Sequence, residues 1–252
     1  ADGRYFVFKE WGVFGETPVT PVTTAEIDSY FDLYPVYEEK KAPTTGKIVY
    51  SNDCEKGGLS LSNGASATFG SSGLVKAAGN NYYRYFAVLD AAGNSNPGGT
   101  SAFIMLPFGV TQFTDLSYYT IEFDISTEGI AAAGNFQHTG RNSSNSPGGS
   151  TPLNIKNENG KMVLTMGGGS VAVEPGEWVH ITIVVQSTTA NSGGTSGIFF
   201  VNGERISTMD SFWRTDASRV KIDDFRFVPA TNNPEGATLC FDNVTLQTFG
   251  KS

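Results

Sequence analysis

The sequence predicts an all-β protein, a sandwich of jelly-roll type, and three observations carry that expectation. Residues 176–206, GEWVHITIVVQSTTANSGGTSGIFFVNGERI, read as two apolar-rich strands around a Ser/Thr/Asn/Gly linker. In the first strand Val179, Ile181, Ile183 and Val185 alternate with Trp178, His180, Thr182 and Val184, giving one aliphatic face and one mixed face. That alternation is the signature of an antiparallel strand covered on one side. The second observation is a series of short strand-like segments from residue 47 onward with no helical period between them. The third is composition: 30 Gly, 18 Phe and 10 Tyr in 252 residues suit many short strands joined by polar turns, and the length supports one full core.

Residues 1–46 read as an N-terminal extension packed on the sandwich, too small to hold a core alone. YFVFKEWGVF at 5–14 is strand-like, and Pro18, Pro21, Pro35 and Pro43 interrupt the chain between it and residue 46. Thr23 and Glu26 have capping-box spacing, and Ile27, Tyr30, Phe31 and Tyr34 fall at helical intervals, which predicts one short helix. The main domain, 47–252, carries expected strands at 47–51, 59–62, 67–70, 82–89, 102–107, 118–126, 152–156, 161–166, 170–174, 177–186, 197–201, 204–207, 221–228 and 238–248. Asn159-Gly160 and Asn202-Gly203 mark tight turns with positive φ. Three long Gly/Asn/Ser-rich segments, 90–101, 134–151 and 187–197, read as loops, where a rigid β scaffold usually meets its ligands.

Charge narrows the function. Only 17% of residues are charged and the net charge is −8, with no Lys/Arg cluster, so nucleic acid is excluded as a partner. No apolar run reaches 18 residues, so no helical membrane span is expected. Few Lys, abundant Asn, Ser and Gly, and two Cys suit a secreted, periplasmic or cell-surface protein whose signal has been removed. Cys54 and Cys240 lie near opposite ends of the main domain. A disulfide between them would constrain the unfolded chain by roughly 4–5 kcal/mol; the alternative is two buried free thiols.

The hairpin at 176–206 resembles the W-x-H-V … Y-V-N-G hairpin of laminin-G-like and concanavalin A-like lectin domains. NDCEKGG at 52–58 and LCFDNVTL at 239–246 resemble the opening and closing strands of calcium-containing carbohydrate-binding modules of the same fold. That resemblance implies a structural calcium held by Asp53, Glu55 and Asp242, with carbonyls or waters completing its oxygen shell. Alternation sets Asp53 and Glu55 on one face and Cys54 on the other, while Cys240 and Asp242 share a face. Regular pairing would therefore set the disulfide against the metal site, and the break in parity between Phe241 and Val244 points to a bulge that relieves the conflict.

IEFDISTEG at 121–129 resembles the E-x-D-x-E strand of glycosidases of this fold, in which two carboxylates act as nucleophile and acid/base. Glu122 and Asp124 match; Ser126 and Thr127 stand where the acid/base belongs, and Glu128 reads as part of the next turn. The catalytic reading is thus confined to Glu122 and Asp124. No zinc spacing, nucleophile elbow or nucleotide loop is present. His180, beside Trp178, reads as a half-buried scaffold residue, and Trp178 as core.

Carbohydrate binding needs flat rings with polar neighbours. Trp213 and Arg214, then Phe136, Gln137, His138 and Arg141 of the 134–151 segment, then Tyr83, are the candidates. The leading expectation is a carbohydrate- or polysaccharide-binding module without covalent chemistry. A glycoside hydrolase or polysaccharide lyase of the same fold is the alternative, followed by an adhesion module with a protein partner.

Overall fold

The computed structural model describes residues 4–13, 33–41, 46–55, 70–77, 79–89, 91–93, 104–110, 116–142, 147–186, 196–209, 212 and 219–250; for 4–13, 33–41, 70–74, 104–110, 116–117, 138–142, 147–150, 186, 219–224 and 250 it gives the backbone course alone. The chain forms two compact units, Ala1–Thr45 and Gly46–Ser252. In the first, β1 (Arg4–Val13) and β2 (Leu33–Lys41) pair antiparallel, with a bulge between Phe8 and Glu10. Most of the expected helix lies outside the described residues, and its end, Leu33 and Tyr34, opens β2 instead.

The second unit is the predicted all-β sandwich, and its described residues contain no helix. Its strands are β3 (Lys47–Asn52), β4 (Gly70–Ala77), β5 (Asn80–Ala87), β6 (Ile104–Val110), β7 (Leu116–Ser126), β8 (Gly134–Asn142), β9 (Pro147–Glu158), β10 (Lys161–Met166), β11 (Gly169–Val173), β12 (Val179–Gln186), β13 (Gly197–Val201), β14 (Glu204–Met209), β15 (Arg219–Pro229) and β16 (Thr238–Gly250). Six of them form a sheet in the order β11-β10-β9-β8-β15-β6. The other sheet has eight strands, β14-β13-β12-β7-β16-β5-β4 with β3 also paired to β16. All named pairs are antiparallel.

The sheets close over an aromatic centre. Phe123 and Phe241 of the eight-stranded sheet meet Phe136 and Phe225 of the six-stranded one, with ring centroids 5.0–5.5 Å apart. Each such pair adds about 0.5–1.5 kcal/mol to the burial of its rings. Ile121, Ile125, Ile181, Ile183, Leu153, Leu164 and Leu246 complete the interior. Along β7 the odd residues Tyr119 to Ile125 are fully buried, whereas Glu122 and Asp124 between them are half-buried on the other side of the strand.

The turns form where the sequence places them. Asn159-Gly160 (φ 54° and 85°) and Asn202-Gly203 (φ 49° and 80°) take the two positive φ values that a two-residue hairpin demands. Gly167 joins β10 to β11 at φ 50°, and a Cβ there would lie 2.6 Å from the Thr208 carbonyl oxygen, so no side chain fits.

The expected loop at 134–151 is a correction. It contains β8 and the start of β9, paired across Gly134–Arg141 to Ile155–Pro147. Its Gly, Asn and Ser content conceals a central strand, because pairing on both sides outweighs weak intrinsic propensity. Phe136, expected at a ligand surface, lies wholly buried in the aromatic centre. Phe136→Ala should therefore cost about 3–5 kcal/mol of unfolding free energy in urea titration; a loss below about 1 kcal/mol would contradict its place in the core.

Candidate functional site on the outer face of the eight-stranded sheet

The outward side of β7 presents Thr120, Glu122, Asp124 and Ser126 in a line of about 20 Å, six residues at strand rise. Neighbouring strands add residues in register. His180 of β12 and Asp242 of β16 flank Asp124, Thr182 and Thr245 flank Glu122, and Cys240 then Arg84 come after Ser126. The sequence-level expectation kept His180 and the two carboxylates apart. Register brings them together.

His180 Nδ1 lies 2.6 Å from Asp124 Oδ1, and its Nε2 lies 3.7 Å from Glu122 Oε2. A carboxylate only accepts, so Nδ1 carries the proton toward Asp124 and Nε2 turns toward Glu122 and solvent. Asn243 Nδ2 donates to the other Asp124 oxygen at 2.7 Å, fixing that carboxylate from the opposite side. The turn at Asn202 braces the imidazole's strand: the His180 N–H donates to Asn202 Oδ1 and the Asn202 N–H to the His180 carbonyl, both at 2.8 Å. Asn243 reaches Asp124 because β16 bulges between Asp242 and Thr245, with Asn243 at φ 51°.

At the end of β7 the face has a roof. Glu128 accepts the Tyr82 hydroxyl at 2.6 Å and Arg84 Nη1 at 2.7 Å, and Trp178 meets Tyr82 edge-on at 5.3 Å. The 174–178 turn is tied down by Ser126 Oγ donating to the Glu177 carbonyl at 2.6 Å and Gly176 N–H donating to the Thr127 carbonyl at 2.7 Å. Burial would raise the Glu128 carboxyl, but the hydrogen bonds from Tyr82 and Arg84 and the guanidinium charge carry it below its ordinary value. Tyr82 is pushed up to about 12 by burial and by its bond to Glu128, so the phenol stays a donor. Trp178 is a correction: expected in the core, it is 36% exposed. Its parity with His180 is the sequence signal that points outward.

The other expected site residues are scattered. Tyr83 is buried, because β5 turns Tyr82 and Arg84 outward in its place. Gln137 is half-buried on β8. The side chains of His138 and Arg141, and Trp213 and Arg214 entirely, lie outside the described residues.

Cys54 and Cys240 are free and buried, the second of the two arrangements that the sequence leaves open. Cys54 (φ 57°) interacts with Asp242 and the Tyr83 backbone, whereas Cys240 lies beside Glu128 and Arg84. Burial, reinforced by nearby carboxylates, pushes both thiols up to about 12.

The expected calcium ligands are engaged separately. Asp53 Oδ1 accepts the Glu55 N–H at 3.2 Å, and Glu55 accepts the Asn81 N–H and Nδ2 at 2.8 and 2.9 Å. Asp242 is buried and accepts the Asn243 N–H at 2.7 Å, with Asn80 and Cys54 also bonded to it; burial raises its carboxyl. Among the described residues no three His, Cys, Asp or Glu are placed to hold a metal ion.

No protein-family model and no curated protein matches the chain. Solved structures do. An endo-β-1,4-glucuronan lyase from the fungus Trichoderma reesei superposes with a TM-score of 0.51 at 10% identity, covering 82% of this chain and 96% of that one. A carbohydrate esterase from a Shiga toxin-encoding bacteriophage gives 0.52 at 9% identity, with 82% and 100% coverage. The alginate lyase Aly36B, with an alginate trisaccharide bound, gives 0.50 at 13% identity, with 80% and 98% coverage. The fold is a jelly-roll β-sandwich. Identities this low establish that architecture alone.

The site's geometry makes two outcomes measurable. Neither thiol should react with Ellman's reagent in the native protein, and both should titrate after unfolding in guanidinium; a native thiol count of one or two would contradict the burial. A carboxyl lowered by folding stabilises above its unfolded range, and that stability is lost as pH falls through the folded value. Glu128→Gln should therefore lower the melting temperature at pH 7 and flatten its fall between pH 5 and 3, as followed by circular dichroism.

Proposed function

We propose that the chain binds carbohydrate along β7, on the outer face of the eight-stranded sheet. The observation that carries this reading is the exposed Trp178, set edge-on against Tyr82 at the end of a row of fixed hydrogen-bonding groups. Aromatic rings hold the apolar C–H faces of a sugar, and Glu122, Asp124, His180 and Asn243 are placed for its hydroxyls. The row is long enough for several sugar units in an extended chain. Solved structures with this fold include two named polysaccharide lyases and a carbohydrate esterase, which supports the same ligand class. A secreted or cell-surface setting accords with it.

A hydrolase reading of the same face is favoured by one observation, the 2.6 Å contact that orients His180 on Asp124. The rest of the geometry disfavours chemistry. Asp124 is shared between His180 and Asn243, and Ser126, where a further carboxylate would act, is buried and bonded to the Glu177 carbonyl. A lyase acting on a uronan needs a cation for the sugar carboxylate, and Arg84 is committed to Glu128.

The test is a glycan and polysaccharide array on the purified chain, run in calcium and again in chelator. Selective binding that Trp178→Ala weakens by about 2 kcal/mol, roughly thirty-fold, supports the reading. The separate engagement of Asp53, Glu55 and Asp242 predicts the same binding in both buffers. A blank array from a folded protein would overturn the reading in favour of adhesion to a protein partner. Turnover of a bound polysaccharide that Glu122→Gln or Asp124→Asn abolishes would overturn it in favour of hydrolysis.

A further inference from the structure

The outer face of the eight-stranded sheet continues past Glu122 to the opposite end of β7. Tyr119 is fully buried, so strand parity turns Tyr118 outward, on the side of Glu122 and Asp124. Phe249 of β16 pairs with Tyr118 in register, and the two rings stack with centroids 4.2 Å and planes 13° apart. Both are only half-buried. Phe249 also leans over Gly46, where a Cβ would lie 2.6 Å from its Cε1. Two residues on, Ile48 of β3 stands opposite Gln247 and is 59% exposed, the most of any large apolar side chain described. Tyr118, Phe249, Gln247 and Ile48 carry no charge. This end of the face is thus an uncharged aromatic surface whose rings hold each other in place before anything binds, which lowers the cost of ordering them.

We propose that Tyr118 and Phe249 form a second sugar-stacking platform, so that the face grips an extended polysaccharide chain at two places along its length. The inference rests on the carbohydrate-binding reading of this face and adds a subsite to it. Trp178 precedes Val179, which pairs with Ile125, so the first platform stands at the Ser126 end of β7. Tyr118 lies eight residues from Ser126 on the same strand, about 27 Å at the rise of a strand. That separation exceeds a di- or trisaccharide and is within reach of a hexasaccharide. Glu122, Asp124 and His180 lie between the two platforms, where the intervening units present their hydroxyls. Flat rings at both ends with hydrogen-bonding groups between them suit a chain that passes across the sheet rather than a terminal sugar held in a pocket. Two platforms on one ligand act as linked sites, so the second adds affinity only for a ligand that spans both. Their alignment on one strand favours a linear polymer over a protein surface as the occupant.

The experiment is calorimetric titration of the full chain with cello-, xylo-, manno- and alginate oligosaccharides of two, four and six units. In a series that binds, the hexamer should bind about ten-fold more tightly than the tetramer. Raising salt from 50 to 300 mM should leave that gain unchanged, because stacking on uncharged rings is not screened. Tyr118→Leu and Phe249→Leu keep an apolar side chain and remove the flat ring. Each should cancel the gain of the hexamer while the tetramer, held at the distant Trp178 end, stays within about two-fold. Trp178→Ala should weaken every length; circular dichroism verifies the fold of each variant. Equal affinity for tetramer and hexamer would overturn the inference and leave the binding reading intact. So would a tetramer weakened as much as the hexamer in both leucine variants, which would make the ring pair a support of the sheet alone. Concentration-dependent dimerisation that Ile48→Asp abolishes would assign the patch to a second copy of the chain and overturn the inference too. No binding of any probe would overturn both the inference and the reading beneath it.

Discussion

Packing of Phe123 and Phe241 against Phe136 and Phe225 is the constraint on which the outer face depends. The side-chain period of a strand is two, so seating Phe123 inward sends Glu122 and Asp124 outward without further instruction. A slip of one residue in β7 would bury two carboxylates and expose four fully buried apolar side chains, Tyr119, Ile121, Phe123 and Ile125. That penalty far exceeds any preference of the polar side for itself. The inner face sets the register, and the outer face inherits it.

Inheritance alone would leave a flat sheet, and the bulge between Asp242 and Thr245 supplies the local shape. Regular pairing would have kept Asn243 in the alternating series of β16. Its left-handed conformation lets the side chain reach Asp124 while the backbone N–H satisfies Asp242. Asn tolerates this conformation better than most residues with a side chain. The bulge also explains how Val244 and Leu246 return to the core after Phe241, although their parity differs. One inserted residue thus completes both the acidic row and the interior.

The sandwich, most of its strands and both Asn-Gly turns are legible in the sequence, because the aliphatic alternation of Val179–Val185 and the Phe-rich segments depend on burial alone. The bulge is legible too, as the parity break between Phe241 and Val244. What escapes is held by partners distant in the chain. β8 looks like a loop in isolation; only β9 and β15 on either side make it a strand. His180 and Asp124 are 56 residues apart and meet through the register of β12 on β7, which local pattern does not encode. Size alone places Trp178 inward, against its own alternation with Val179. Chain position alone pairs Cys54 with Cys240, yet each thiol has a different neighbour in the fold.

The same division explains why the chain resembles solved jelly-roll structures at 9–13% identity while matching no family by sequence. Superposition reads backbone course, which the inner residues determine through volume and apolarity, and many sequences satisfy those. The outer face contributes little to that course. Thr120, Glu122, Asp124 and His180 are free to change sign and chemistry while Tyr119, Ile121, Phe123 and Ile181 hold the sheet in place. A likeness of backbone therefore carries the scaffold across and leaves the ligand to be argued from the outward residues. In this chain two of those residues, Glu122 and Asp124, are carboxylates, His180 is hydrogen-bonded to Asp124, and the row borders an exposed indole, and that combination is what any ligand of the face has to complement.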